Sequence, residues 1–515
     1  METYKFLVNN ILEGHSGLQE DRKTKLIVFS NPVIDVREEE EEEEEEEKGC
    51  NNVQLIAKYK KHITSVNNYR FNEYFHIAEL QQNFDEIVLE FKEDMFDAIY
   101  KSYNSMRPFF NVVPNQEVNG TCFVIDIGGS TLRISMVELS FNYQINCILS
   151  ESWCIADDNK VIDKDWLKWI ISKFKGFLQT LKIKHKVDLS NNNGKFKVGI
   201  TWSFPMVQKD ASNRGEISDL GKGFEVCQEY FGGDLKDIFE NNFREEGLDI
   251  DVGSIVNDSI AVFVTGAYLV KSKLALVLGT GLNSCFAINN SLFGQHKRLP
   301  LSVNSPSDKV LVNAESSFFG YNLQKYVTDI DKQMCAFWNL NYEQYLPPHL
   351  TTDQYGVFQP LELLTAGRYI PEIIRLTIAK VFAECSFVIP SLFTKGKYCC
   401  DAEFFAKLYI DVNQVSGLKP DKYELVKDII DVVIKRAPLI LAMYIIALLQ
   451  LAEATTSARE TVYISVVGSM LKYFPGYKGK VEGYLNFYCK RLNLPKVEFI
   501  FLENSSIYGA SISCF

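Results

Sequence analysis

Phe123-Val-Ile-Asp-Ile-Gly-Gly-Ser-Thr-Leu-Arg133 is the stretch on which the reading of the fold turns. It starts as an apolar run short enough for a buried strand, breaks at Gly128-Gly129, and resumes over residues 132–137 as a second strand. Two glycines let the chain turn sharply and approach a ligand, and the amides of Gly128, Gly129, Ser130 and Thr131 can then point at one anion. Asp126 stands just before the turn, where a carboxylate can hold a hydrated magnesium ion against the same phosphates. Alone, the stretch fits equally well a plain β-hairpin whose Asp and Ser are turn formers. It is not a P-loop, because no Gly-Lys-Ser/Thr follows and the glycines open a strand instead of a helix.

The other parts of the chain decide between these readings. At 515 residues, 46% hydrophobic and 13% aromatic, it can bury large cores and is expected to form two domains of ordinary size. The net charge of −12 is almost entirely the unbroken glutamate run at residues 38–47, so nothing basic points to nucleic acid. Like charges in that run repel and bury no apolar surface, which predicts disorder; its partner, if it has one, is unknown. The twelve cysteines form no Cys-x-x-Cys pair, which argues against a zinc site or a disulfide framework and for reduced thiols in the cytoplasm. The N-terminus shows no charged-then-apolar signal. Residues 437–452 carry no charge but fall short of a membrane span and contain Pro438, so a buried core helix is expected.

In chain order, Leu80, Phe84, Ile87, Phe91, Met95 and Ala98 recur at helical spacing and predict one long amphipathic helix, followed by an extended connector over residues 106–114. Residues 166–181 are helix-like, and a strand over 196–203 ends at Ser203. Gly221-Lys222-Gly223 forms a loop with one lysine. A strand over 253–256 leads into Asn257-Asp258 and at once into a helix, where Asp258 taken alone is an ordinary N-cap. Residues 274–281 are a strand broken at Gly279-Thr280-Gly281, a second candidate phosphate loop. A helix over 426–451 precedes a strand over 462–467 and the turn Gly468-Ser469. Two strand-turn loops, a third Gly-Ser turn and an Asn-Asp at a strand end describe a nucleotide cleft between two similar α/β halves.

Asp126-Ile-Gly-Gly-Ser-Thr-Leu-Arg133, Ser203-Phe-Pro205, Lys222-Gly-Phe224, Asn257-Asp258, Gly279-Thr-Gly-Leu-Asn283, Asn313-Ala-Glu315, Glu362 with Gly367, and Gly468-Ser469 together resemble the hexokinase family, from about Leu80 to the end of the chain. The resemblance implies an α/β, two-domain actin-like ATPase (ribonuclease H-like) fold with a cleft between small and large domains. It divides the chain into an extension at 1–55, a large domain at 56–116 and 256–500, and a small domain at 117–255 and 501–515. It also implies ATP and Mg2+ as cofactors. Asp258 is similar to the family's base for the sugar 6-hydroxyl, and Arg133 to the group supporting the transferring phosphoryl. Ser203, Lys222, Asn257, Asn283, Glu315 and Glu362 are similar to its sugar ligands. Asp126 would hold magnesium through water, while Gly128, Gly129, Ser130, Thr131, Gly279, Thr280, Gly281, Gly468, Ser469 and Lys472 would hold ATP.

The pattern departs from the family's at several points. Glu315 is followed by Ser316-Ser317 where Trp-Gly is usual, Gly221 and Val467 replace Thr and Asp, and Ser505-Ser-Ile-Tyr-Gly509 replaces a glycine-rich loop. These departures look most like a divergent fungal branch that includes N-acetylglucosamine kinases. The expected substrate is N-acetylglucosamine, with glucose, mannose or fructose as the alternative and a catalytically weak sugar sensor as a third. Ser316 in place of an indole is expected to vacate room for the acetamido group, and Ser316 and Ser317 are expected to present hydroxyls to its carbonyl.

Overall fold

In a computed structural model, residues 70–102, 104–156, 159–186, 195–218, 224–301, 308–335, 357–411, 418, 420–452 and 460–515 are described, all within the compact unit Tyr59–Phe515. The glutamate run and Lys222 lie outside the described residues.

The principal strands are β1 (Arg107–Phe109), β2 (Gly120–Ile127), β3 (Thr131–Ser140), β4 (Gln144–Cys154), β5 (Lys195–Trp202), β6 (Asp249–Val256), β7 (Leu274–Leu278), β8 (Leu282–Asn289), β9 (Lys309–Asn313), β10 (Val462–Val467) and β11 (Val497–Phe501). They build a five-stranded sheet in the order β6-β5-β2-β3-β4 and a six-stranded sheet in the order β1-β9-β8-β7-β10-β11. Each sheet has an antiparallel meander, β2-β3-β4 or β7-β8-β9, whose first strand then pairs in parallel with a later one, β5 or β10. The connector over 106–114 contributes β1, which pairs antiparallel to β9 with Arg107 opposite Asn313.

The predicted long helix from Leu80 is two helices, α1 (Ile77–Gln82) and α2 (Phe84–Lys101). They part at Asn83, whose amide closes α1 on Glu79 O while its side chain donates to Tyr326 Oη at 2.9 Å. The helix-like stretch at 166–181 lies within α3 (Lys164–Lys184), capped by Asp163, whose carboxylate accepts from Trp166 N. The principal helices that follow are α4 (Leu235–Glu245), α5 (Asp258–Val270), α6 (Pro360–Thr365), α7 (Ile370–Glu384) and α8 (Pro420–Leu451). The charge-free stretch of α8 is buried along its length, as expected of a core helix, and packs against α2 in the core of the six-stranded sheet. The last helices are α9 (Ser469–Tyr473), α10 (Tyr477–Arg491) and α11 (Ser505–Ile512).

Two helices tie the sheets together. α5 leaves β6 of the five-stranded sheet and packs on β7, β8 and β10 of the other, while α11 leaves β11 of the six-stranded sheet and packs on β2, β3, β5 and β6. Where they cross, the contact is so close that a Cβ on Gly509 would lie 2.1 Å from Ala261 O. Only glycine permits that approach.

Candidate functional site

Parallel strands gather their carboxyl ends on one side of a sheet, the usual location of ligand sites in open α/β sheets. Here Asp126 sits near the end of β2, Ser203 follows β5, Asn257 and Asp258 follow β6, Gly279 follows β7 and Gly468 follows β10.

Asp126 is opposite Arg133 in the β2–β3 pair and opposite Thr201 of β5. Side chains directly across a strand pair face the same way, and the consequence is an ion pair, Arg133 Nη2 donating to Asp126 Oδ2 at 2.7 Å. Ser506, in the first turn of α11, donates to the same oxygen at 2.9 Å. Thr201 Oγ1 donates to Ser506 O at 2.8 Å, and Thr265 Oγ1 of α5 donates to Ser505 O at 2.9 Å, which fixes the start of α11. Burial pushes the Asp126 carboxyl up, the Asp258 charge pushes the same way, and Arg133 and Ser506 hold it back. Asp258 therefore acts electrostatically on the same site as Asp126.

The helix cap at the β6 end is Asn257, whose Oδ1 accepts from Ser259 N at 3.1 Å. Asp258 is thus the first residue of α5 and not its N-cap, and it is half-buried. Asn257 is 3% exposed and its Nδ2 donates to Trp202 O. A polar network runs from here into the six-stranded sheet. Ser259 Oγ lies 3.0 Å from Asn313 Oδ1, Asn283 Nδ2 donates to that same oxygen at 2.9 Å, and Asn313 Nδ2 donates to Glu315 Oε1 at 2.9 Å. Glu315 has φ 50°, a left-handed conformation costing a non-glycine residue roughly 1 kcal/mol, held here beside a functional candidate. Glu362 accepts from Leu282 N at 3.0 Å and from Tyr369 Oη at 3.3 Å. Ser203 N donates to Ile127 O, placing that residue beside the end of β2.

The two turns differ from their first reading. Gly128 N donates to Thr131 O within its own hairpin, so the anion-facing set starts beyond it. Gly279 N likewise donates to Gly281 O. The second turn is instead wedged among other glycines. Gly367 N donates to Gly279 O at 2.8 Å, and Gly468, with φ 124°, approaches so closely that a Cβ there would lie 2.0 Å from Leu278 O. Thr280 is exposed at the tip of this turn, and Lys472 of α9 pairs with Glu503 at 2.7 Å.

Ser316 is a correction of substance. It is 0% exposed and its hydroxyl forms a closed triangle with Ser284 Oγ at 2.9 Å and Tyr444 Oη at 2.6 Å. The Tyr444 ring, carried by α8, packs here, and the serine hydroxyl is already engaged, so it does not present itself to a sugar. Ser317 Oγ accepts from Gln359 Nε2.

Reading the sequence missed Ser506, Ser259 and Tyr444, and singled out Asn313 only as the start of Asn313-Ala-Glu315. The closeness of Asn313 to Glu315 in that motif was the available signal, since Asn313 ends β9 two residues before Glu315. Ser506 lay inside the segment read as an altered loop, with nothing local to connect it to Asp126.

Among the described residues no three His, Cys, Asp or Glu side chains gather as a metal site. A hydrated divalent cation held by one carboxylate and by substrate phosphates does fit: Asp126 directs Oδ2 to Arg133 and Ser506, which leaves Oδ1 to face such an ion.

Residues 70–268 and 273–515 match the two sequence profiles described as hexokinase. N-acetylglucosamine kinase 1 of Candida albicans is 32% identical over 458 residues, 83% of this chain and 88% of that protein. A hexokinase of Emericella nidulans is 23% identical over 389 residues, 71% of this chain and 73% of its own length. In structure, the hexokinase from Schistosoma mansoni complexed with glucose superposes with a TM-score of 0.69 at 20% identity, covering 88% of this chain and 99% of that one. The fold is the two-domain actin-like fold of sugar kinases, and the chain belongs to the hexokinase family of sugar kinases.

Proposed function

We propose that the chain transfers the γ-phosphoryl group of ATP to the 6-hydroxyl of N-acetylglucosamine in the cytoplasm. The observation that carries the choice of sugar is the 32% identity, over most of both chains, to a protein named as an N-acetylglucosamine kinase, against 23% to a hexokinase. In this reading Glu315 and Glu362 accept from the sugar hydroxyls and the Asn257 and Asn283 amides donate to or accept from them, joined by Ser203 and Lys222. Asn313 and Ser259 hold the amides in register.

Asp258 takes the proton of the 6-hydroxyl as that oxygen bonds to the γ-phosphorus and the bond to the bridging oxygen of ADP breaks. Arg133, fixed by Asp126, offsets negative charge on the transferring group. Backbone at Ser130, Thr131, Thr280 and Gly281, with Ser469, positions the triphosphate, and the mutual packing of the glycines at 279, 367 and 468 fixes the backbone of the second turn. Asp126 would hold Mg2+ through water, and the bound ion would supply charge neutralisation of the β- and γ-phosphates. Residues 117–255 with 501–515 would then move as the small domain against 56–116 with 256–500, excluding water as a competing acceptor.

The test is a coupled ADP-release assay on N-acetylglucosamine, glucose, mannose and fructose. The expected result is the highest kcat/KM with N-acetylglucosamine. A higher value with glucose overturns the choice of sugar and leaves a general hexokinase; turnover with none of the four overturns the kinase reading.

A further inference from the structure

A second feature is lined by none of the residues assigned above to sugar, ATP or phosphoryl transfer. It is a cavity of about 280 Å³ between β1, the two-residue strand Met206–Val207 and residues 296–299, which follow β8. Its wall includes Arg107, Lys209, His296, Lys297 and Arg298. Lys209, His296 and Arg298 are exposed at its mouth, Arg107 is half-buried, and Lys297 is buried behind them. Glu216 pairs with Lys209 at 2.6 Å, whereas among the described residues neither Lys297 nor Arg298 pairs with a carboxylate.

Lys297 is 8% exposed, and its ammonium is held by the carbonyls of Ala98 and Ser105 at 2.9 and 3.0 Å. Arg298 donates through Nε to Phe293 O and through Nη2 to Ser291 O, which fixes the plane of its guanidinium. Arg107 Nη1 lies 3.3 Å from Met206 O and 3.4 Å from Ser218 Oγ. These side chains are anchored through part of their donor set, so their positions are set before any ligand arrives. Pro108, Met206 and Leu299 give the same cavity an apolar wall.

We propose that this cavity is a binding site for a small phosphate monoester, its phosphoryl group seated among Arg107, Lys209 and Arg298 with Lys297 beside it and its organic part against Pro108, Met206 and Leu299. Arginine offers several donors in a fixed fork, and phosphate oxygens accept them best. The site also spans the two sheets: Arg107 belongs to the edge strand of the six-stranded sheet, opposite Asn313, while Met206 follows β5 of the other. Burial and the Arg107 charge lower the Lys297 pKa to about 7. The other charged or titratable groups facing it across the cavity are His296, Arg298, and Lys209 with Glu216. A bound anion favours protonated Lys297, so affinity falls as pH rises through 7.

The experiment is isothermal titration of the full chain, which needs no phosphoryl transfer and so stands or falls separately from the kinase reading. Inorganic phosphate and glycerol 1-phosphate are the probes at constant pH. Sulfate, whose charge does not change in this range, is the probe between pH 6 and 8. One site is expected, weakened about tenfold in Lys209→Ala or Arg298→Ala and more in the double variant, with kcat for the sugar unchanged. Tighter binding of glycerol 1-phosphate than of phosphate supports an ester as the ligand; equal binding overturns the role of the apolar wall. Sulfate affinity is expected to drop from pH 6 to 8 in the native chain and to lose most of that drop in Lys297→Met. Unchanged phosphate binding in the Lys209→Ala/Arg298→Ala double variant, or a pH-independent sulfate affinity, overturns the proposal.

Discussion

The turn at Gly128 and the turn at Gly279 occupy the same place in two sheets of the same topology, each joining the first two strands of a meander whose first strand continues in parallel pairing. They are built differently. The first turn leaves its surroundings open: a Cβ on Gly128 would lie 3.4 Å from its nearest neighbour, Thr131 O, an ordinary contact. Its chemistry resides in the side chains beside it, Asp126 and Arg133, paired across the strands and braced by Ser506. The second turn has no charged cross-strand pair; its equivalent positions, Val277 and Asn283, are paired instead. Its distinguishing property is backbone proximity, with Gly367 and Gly468 pressed against it. A glycine-bearing turn after a strand is therefore not one device. One copy presents charge on side chains and the other brings backbone close, and which is which depends on residues far along the chain.

The largest test of this division is at the junction of the two halves. Asp258→Ala should lower kcat by about 10²–10⁴-fold while sugar affinity, measured by calorimetry, changes little, because a general base acts mainly in the transition state. A loss of less than about tenfold would return Asp258 to a helix-end residue.

The next contrast sets the turns directly against each other. Gly468→Ala places a Cβ 2.0 Å from Leu278 O at φ 124° and should cost about 2 kcal/mol or more in urea unfolding, with a raised KM for ATP. Gly128→Ala has room and should cost less than about 1 kcal/mol. Equal costs would mean that the two turns are not distinguished by packing.

Smaller effects belong to the braces. Ser506→Ala removes a donor that holds the Asp126 pKa down, so that pKa should rise further. Activity that needs ionised Asp126 disappears as pH falls through its folded value, so the acid limb of kcat against pH should move to higher pH, with a loss of roughly tenfold or less at neutral pH. A limb that stays in place would detach Ser506 from Asp126. Smallest of all, Tyr444→Phe breaks the triangle with Ser284 and Ser316 and should cost about 1 kcal/mol of stability, leaving the ratio of kcat/KM between N-acetylglucosamine and glucose nearly unchanged. A large change in that ratio would restore a specificity role to Ser316.

Much of this protein is legible in its sequence because much of it is local. Short apolar runs ending in glycine or in Asn-Asp mark strand ends, and the charge-free run around Pro438 marks a core helix; each depends on neighbours a few residues away. The order of those strand ends along the chain was enough to indicate the family and the cleft-forming α/β fold. What tertiary structure decided concerns contacts whose partners no local pattern connects. Ser506 reaches Asp126 across 380 residues, and α8 brings Tyr444 to Ser316 across 128. The break at Asn83 is paired with Tyr326, and the tightness of the second turn depends on Gly468 meeting Leu278. Periodicity and turn chemistry give the conformation of a segment and the face it buries. Which distant hydroxyl fills a given space, and whether a serine faces a ligand or a tyrosine, follows only from close packing of the whole chain.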